Sequence, residues 1–253
     1  MTADVILPRT IQASVVAALL LLWWAATGLG WVAPFFLPGP AAVFSAFWQL
    51  IVTGAFLPPL LTTAYELAMA FLIAVVLGWV VGYLISRSPF AVDVMEPVFA
   101  AVFTIPAILF YPLYVLAFGI GTESKIAIGA TIGFFPIVLS TIAGISRVDT
   151  RYINAARSMG ASSAQMFFSV MLPAVAPVLV NGLRIGGTLT YLVILGAESL
   201  TAKEGLGRQI VTQAERMNAA NMFGYILIVL IISLVFTYAL TSAETLIVRK
   251  LRA

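Results

Sequence analysis

Residues able to do chemistry are few in this chain and widely spread. Its 253 residues include no cysteine and no histidine, which removes thiolate metal sites, disulfides and the commonest proton shuttle. Only scattered carboxylates and bases remain. No two carboxylates sit at a helical spacing suited to acid and base work, and no nucleophile has a base beside it, so a membrane enzyme is disfavoured. Interest shifts to Glu66, Arg184 and Glu198, which fall in or at the ends of long apolar runs. A carboxylate deep in a bilayer costs at least ~2.5 kcal/mol, so such a residue faces a cavity or a partner. Glu66 can therefore line a pathway or gate, pair with threonine or backbone groups of a neighbouring span, or sit hydrated at the interface. Arg184 can attract an anion or snorkel and tie down a loop. Glu198, ahead of the charged segment SLTAKEGLGRQI, can close an outer gate, touch an external protein or act as a solvated cap.

The elements that carry these residues are set by hydropathy. Hydrophobic residues make up 62% of the chain and charged residues 9%, against roughly 25% charged in an average soluble domain. The chain reads as an all-α membrane protein with about six spans, since a span needs about 20 apolar residues. The runs place them at about 11–32, 60–85, 97–118, 125–145, 178–197 and 222–248. The first is too long for a signal peptide and is read as a retained span. PFFLPGP, from Pro34 to Pro40, is a stiff connector, and Ala41 to Thr53 reads as a short amphipathic helix lying in the interface. No linker or repeat interrupts the pattern, so 1–253 is expected to form one domain. Pro106 and Pro112 leave carbonyls free to line a pathway, or simply kink the third span. Tyr111, Tyr114, Phe134 and Phe135 read as packing or interface groups ahead of a stacking box. Gly78 and Gly82 form a small-x-x-x-small pair that favours close helix contact, a dimer interface being one place for it.

One segment is out of keeping with the rest. Asn154 to Pro177, NAARSMGASSAQMFFSVMLPAVAP, is mildly polar and centred on a glycine. Asp149 can N-cap a first short helix to Met159, Gly160 permits a turn, and Ser162 with Gln165 makes a capping box that restarts a helix. Pro173 and Pro177 are expected to end it and re-aim the chain into the membrane. With the N-terminus inside and six spans, Arg9, Arg87, Arg147, Arg151, Arg157, Arg184, Arg249, Lys250 and Arg252 are cytoplasmic. Lys125, Lys203, Arg208 and Arg216 lie outside. Nine against four favours this orientation over its inverse. It puts both termini and the 147–177 loop in the cytoplasm, with the basic residues scattered rather than clustered, which argues against a nucleic-acid site.

The Asn154 to Pro173 segment resembles the "EAA" coupling loop of ATP-binding-cassette importer permeases, matched at Asn154, Ala155, Ala156, Gly160, Met171, Leu172 and Pro173. Further resemblance comes from FLPGP at Phe36, the Thr63 to Gly82 stretch, Ile105 to Lys125, Phe134 to Asp149, and GLGRQI from Gly205. These pieces are similar to the branch handling nitrate, sulfonates, taurine, and pyrimidine or flavin precursors. The resemblance implies a type I importer permease fold with cytoplasmic coupling helices in the bacterial inner membrane. It implies a homodimer, two separate ATPase subunits that bind ATP and magnesium, and an extracytoplasmic binding protein that delivers a small solute. ATPase docking falls to Asn154, Ala155, Ala156, Met159, Gly160, Ser163, Leu172 and Pro173. The candidate pathway or gate residues are Glu66, Pro106, Tyr111, Arg184 and Glu198.

Two positions depart from the family pattern. Asn154 stands where an acid is usual, exchanging a charge-assisted contact for a neutral hydrogen bond, and Ala107 stands where a base is frequent. The chain has no Gly-x-x-x-x-Gly-Lys-Ser/Thr phosphate loop, so it is not itself the ATPase. The competing reading is an ion-coupled secondary transporter, which would normally show an inverted repeat and more intramembrane ionisable groups.

Overall fold

The computed structural model describes the backbone of residues 3–201 and 203–252, with side chains apart from 3–10, 150, 163, 167, 243–244 and 246–252. Among the described residues every regular element is helical. In order these are α1 (Ala3–Gly28), α2 (Pro40–Val52), α3 (Leu57–Ser86), α4 (Pro89–Phe103), a 3-10 turn (Ala107–Phe110), α5 (Tyr111–Phe118) and α6 (Thr122–Ser146). There follow α7 (Thr150–Ser158), α8 (Ser163–Met166), a π turn (Phe167–Met171), α9 (Leu172–Thr201), α10 (Leu206–Glu215) and α11 (Ala219–Arg252). Among the described residues five helices are long and apolar enough to cross a membrane, and a sixth span results if the bent pair of Pro89–Phe103 and Ala107–Phe118 is taken as one.

The chain divides into two compact units. The first comprises 1–58 and 209–230. Here the proline-rich connector folds back on α1, whose Trp23 Nε1 donates to the Pro38 carbonyl at 3.1 Å. Gly39 caps α2 in an extended conformation and Pro40 occupies the first turn, where a missing amide costs nothing. Val43, Ala46 and Leu50 fall on one face of α2 and are buried. Gly224 of α11 lies against that face beside Phe47 and Leu50, and Tyr225 Oη donates to the Ala55 carbonyl at 3.5 Å.

The second unit comprises 59–208 and 231–253 and is built around α6 packed on α9, with α3 alongside. Small residues make that packing possible. Within a bilayer there is little hydrophobic gain from helix association, so tight dispersion contacts and interhelical hydrogen bonds must supply it. Pro59, Thr63, Glu66, Ala70, Ala74, Gly78 and Gly82 recur at three- and four-residue steps and form the buried face of α3. Gly133 of α6 lies against Ala74 and Thr190, and Gly182 of α9 against Ser140 and the Pro136 carbonyl. Thr190 sits across the seam and is within 3.2 Å of the Gly129 carbonyl.

The glycine pair in α3 is used within the chain. A Cβ on Gly78 would lie 2.6 Å from Ile137 Cγ2, and one on Gly82 would lie 2.6 Å from Thr141 Cβ. Gly78→Ala is therefore expected to destabilise the purified chain by about 1–3 kcal/mol through overpacking. An unchanged thermal unfolding midpoint would show that α3 does not approach α6 this closely.

Two features differ from the sequence expectation. The third span, expected as 97–118, is a bent pair that begins at Pro89 and turns by 79°. Pro106 disfavours helix at Ile105, so the chain leaves α4 at Thr104 and re-enters through the 3-10 turn. Pro173 and Pro177, expected as terminators, are absorbed into α9. The π turn just ahead widens the helix, giving the Pro173 ring room beside the preceding carbonyls.

Candidate functional site

The expected handle has the local structure its residues require. Asp149 Oδ1 accepts from the Arg151 amide at 2.8 Å and opens α7. Gly160 has φ +79°, in the left-handed region, and ends it. Ser162 and Gln165 then cap α8 reciprocally: the Ser162 amide donates to Gln165 Oε1 at 2.9 Å and the Gln165 amide to Ser162 Oγ at 3.3 Å. Every bond is local, which is why the pattern was legible in sequence.

The two faces of α7 differ. Tyr152, Ala155 and Met159 lie on one exposed stripe, Met159 being 87% exposed. Asn154 is exposed as well, and its carbonyl accepts from Ser158 Oγ. Ala156 is buried, so it holds the handle together and does not face outward as expected. Leu172 and Pro173 are half-buried at the start of α9. The Ser163 side chain lies outside the described residues.

A second constellation lies in the 59–208 part of the chain, where α3, the start of α6, the end of α9 and the start of α10 converge. Glu66, Lys125 and Glu198 are all buried there, at 0%, 3% and 0% exposure. Lys125 Nζ forms an ion pair with Glu66 Oε1, which also accepts from Thr122 Oγ1 at 3.0 Å. Thr63, one turn before Glu66, donates its hydroxyl to Glu198 Oε1 at 2.6 Å and accepts the Leu206 amide at 3.0 Å. Glu198 Oε2 accepts the Gly207 amide at 2.8 Å. Gly205, at φ +117°, lies so close to the Glu198 carboxylate that a Cβ would fall on it. Glycine is required there for the backbone conformation and for the space.

This network can hold three helix ends together without leaving charge exposed to lipid. Hydrogen bonds offset part of the cost of burying these charges: Thr122 donates to the paired Glu66 oxygen, and Thr63 and the Gly207 amide donate to Glu198. The arrangement forms a latch rather than a reaction centre. Among the described residues no group of three or more His, Cys, Asp or Glu side chains could hold a metal.

The expected pathway residues are divided by the fold. Glu66 and Glu198 meet. Tyr111 is buried beside Ile128 and Ala197, and its hydroxyl is 3.0 Å from Thr201 Oγ1, which places it next to the cluster in a packing role. Pro106 is exposed, and the Val102 carbonyl four residues before it accepts the Ile105 amide at 3.1 Å, so the carbonyl that Pro106 cannot serve is not a free acceptor. Arg184 is 14 residues before Glu198 on α9, about 21 Å along the helix at 1.5 Å per residue. Its Nη2 donates to Asn181 Oδ1 at 2.9 Å, a contact within α9 one turn away.

Lys125 was expected on the outer side as the first residue of the 125–145 span, and no role was expected for Thr63, Thr122, Gly205 or Gly207. The overlooked signal was the i, i+3 pair Thr63 and Glu66 on one helical face, opposite a lysine in the first turn of an apolar helix. Phe134 and Phe135 join Phe99 in edge-to-face contacts with ring centroids 5.4–6.2 Å apart, a packing arrangement rather than a parallel stacking box. They also line a cleft of about 780 Å³ rimmed by Glu123 and Thr131.

Residues 74–253 match the family described as binding-protein-dependent transport system inner membrane component. The chain is 29% identical over 240 residues to the taurine transport system permease protein TauC of Escherichia coli, covering 93% of this chain and 87% of that one. It is 31% identical over 209 residues to the nitrate import permease protein NrtB of Synechocystis sp., covering 79% of this chain and 75% of that one. Among solved structures it resembles a chain of the MetNI methionine ABC transporter in inward-facing conformations. That match has a TM-score of 0.58 at 23% identity, over 75% of this chain and 93% of the other. With most of its length matched by the family and by both permeases, this chain belongs to the inner membrane components of binding-protein-dependent transport systems and is a membrane-spanning permease.

Proposed function

We propose that the chain is the permease subunit of an ATP-binding-cassette importer, with the whole of 1–253 serving as one permease domain. Two copies form the translocation pathway, separate ATPase subunits bind ATP and magnesium, and an extracytoplasmic binding protein delivers the solute. The termini and the 147–177 loop face the cytoplasm. The observation that carries this reading is the α7 handle: a short helix capped at both ends, displaying Tyr152, Ala155 and Met159 on one face and opening toward Gly160 and α8. A rigid helix with an exposed apolar stripe transmits force to the long α6 and α9 between which it is connected in the chain. Asn154, Gly160, Ser163, Leu172 and Pro173 complete or support that docking segment, with Ala156 fixing it from within.

Solute chemistry follows from the relatives. Named permeases for taurine and for nitrate point to a small polar solute carrying an anionic group, with pyrimidine or flavin precursors as the wider range. The cleft rimmed by Glu123 and Thr131 is a candidate wall of the pathway.

The chain has no native cysteine, so single cysteines at Tyr152 and Met159 report on docking without background. In native membranes both are expected to cross-link to a nucleotide-binding subunit with a yield that changes when ATP is added. Efficient labelling of both positions with no ATPase captured would favour the ion-coupled secondary transporter.

A further inference from the structure

Every oxygen of the buried cluster has a donor except one. Glu66 Oε1 receives Lys125 and Thr122, Glu198 Oε1 receives Thr63, and Glu198 Oε2 receives the Gly207 amide. Glu66 Oε2 has no hydrogen-bond partner and is the one such buried side-chain atom among the described residues. The Glu198 carboxyl joins the same buried cluster through Thr63, which stands one turn before Glu66 on α3. Two ionised carboxylates cannot bond to each other, because each only accepts.

Charge leads to the same point. One lysine faces two carboxyl groups at a site where all three side chains are at most 3% exposed, so full ionisation would leave a net negative charge in the membrane interior. A carboxyl pair at close range resolves this by keeping one proton between its members, because both cannot ionise together. The groups facing the pair from each packed element are Glu66 with Thr63 from α3, Lys125 and Thr122 from α6, and Glu198 from α9, with Tyr191 on α9 interacting electrostatically. The start of α10 adds the Leu206 and Gly207 amides, and Glu204 just ahead of it accepts from Thr62.

We propose that Glu66 and Glu198 share one proton, carried on the Glu198 carboxyl toward the unpartnered Glu66 Oε2, so that the Glu66–Lys125–Glu198 latch closes with no net charge. Any movement that parts α9 from α3 then exposes two separate carboxyl groups to water. There the shared acid ionises to a carboxylate and a free proton, so opening of the latch is favoured as pH rises. This proton site is independent of ATPase docking and of the identity of the solute, so failure of one idea leaves the other standing.

Infrared spectroscopy of the full-length purified chain in lipid nanodiscs reads the proton directly. At neutral pH the wild type is expected to show the carbonyl stretch of a protonated carboxylic acid, separate from carboxylate bands. It is expected to vanish in both E66Q and E198Q and to fade when the wild type is made alkaline. Glutamine at 66 supplies a donor that cannot be lost, so the unfolding temperature of E66Q is expected to fall less than that of wild type between neutral and alkaline pH. If one variant does not accumulate, the other variant and the wild-type alkaline titration decide. Absence of the acid band from the wild type at neutral pH, or its survival in either variant, would overturn the shared proton.

Discussion

Lys125→Met is expected to lower the stability of the purified chain by about 3–5 kcal/mol, the usual cost of removing one partner from a buried ion pair. At about 2–4 °C per kcal/mol for a chain of this size, the unfolding midpoint falls by on the order of 10 °C. The reason is desolvation. Lys125 and Glu66 are 3% and 0% exposed, and neither water nor lipid headgroups can take over when one is deleted. Methionine fills a similar volume, so the loss reports charge rather than packing. Glu66→Gln alone is expected to be mild, because the amide oxygen still accepts from Lys125 and the amide nitrogen can donate toward Glu198. The double variant Lys125→Met with Glu66→Gln is expected to recover more than half of the Lys125→Met loss, a coupling that only adjacent groups show. Strict additivity of the two variants would break the ion pair as an energetic unit. A wild-type melting temperature for Lys125→Met would place the lysine in solvent instead.

Gly160→Leu is expected to uncouple ATP hydrolysis from transport while the protein still inserts. Space is not the obstacle, since nothing lies within 4 Å of a Cβ built at Gly160. The obstacle is its φ of +79°, which costs an L residue roughly 1–2 kcal/mol. Such a cost shifts the population of correctly joined α7 and α8 by a factor of about 5–30, and substrate-dependent transport should fall by a similar factor in reconstituted vesicles. Gly160→Asn separates conformation from bulk, because asparagine tolerates the left-handed region. It is expected to retain most of the transport. Equal loss in both variants would assign the effect to the partner surface, and normal coupled transport in Gly160→Leu would count against α7 and α8 as the force-transmitting segment.

These two tests address parts of the molecule that differed sharply in how readable they were. In the handle, Asp149, Gly160, Ser162 and Gln165 act on amides within three residues of themselves, so residue type and spacing predicted the caps the structure contains. The hydropathy runs were equally direct, because a helix in lipid must satisfy its own backbone and needs a minimum apolar length. Where a local rule met a tertiary demand, the local rule was overridden. Pro173 and Pro177 should have ended a helix, yet the π turn makes room for Pro173, Pro177 lies inside α9, and α9 continues as one of the two helices at the centre of its unit. Ala156 could not be distinguished from Ala155 by type, and only the packing of α7 shows that one is buried and the other exposed.

By itself, the sequence determined that this is a helical membrane protein with a capped polar handle between two spans, since composition, helix length and capping depend on residues near one another. It also marked Glu66 and Glu198 as anomalous, because the cost of burying a carboxylate applies at any position in an apolar run. Only the tertiary structure decided what these residues do. Thr63 and Glu198 are 135 positions apart, and Thr122 and Glu66 are 56 apart. Whether they meet depends on which face of α3 turns toward α6 and α9, and that is set by glycine and alanine contacts along the whole length of the helices. Small residues carry almost no chemical signal in a sequence, yet their lack of bulk brings Lys125 to Glu66 and Glu66 to Glu198.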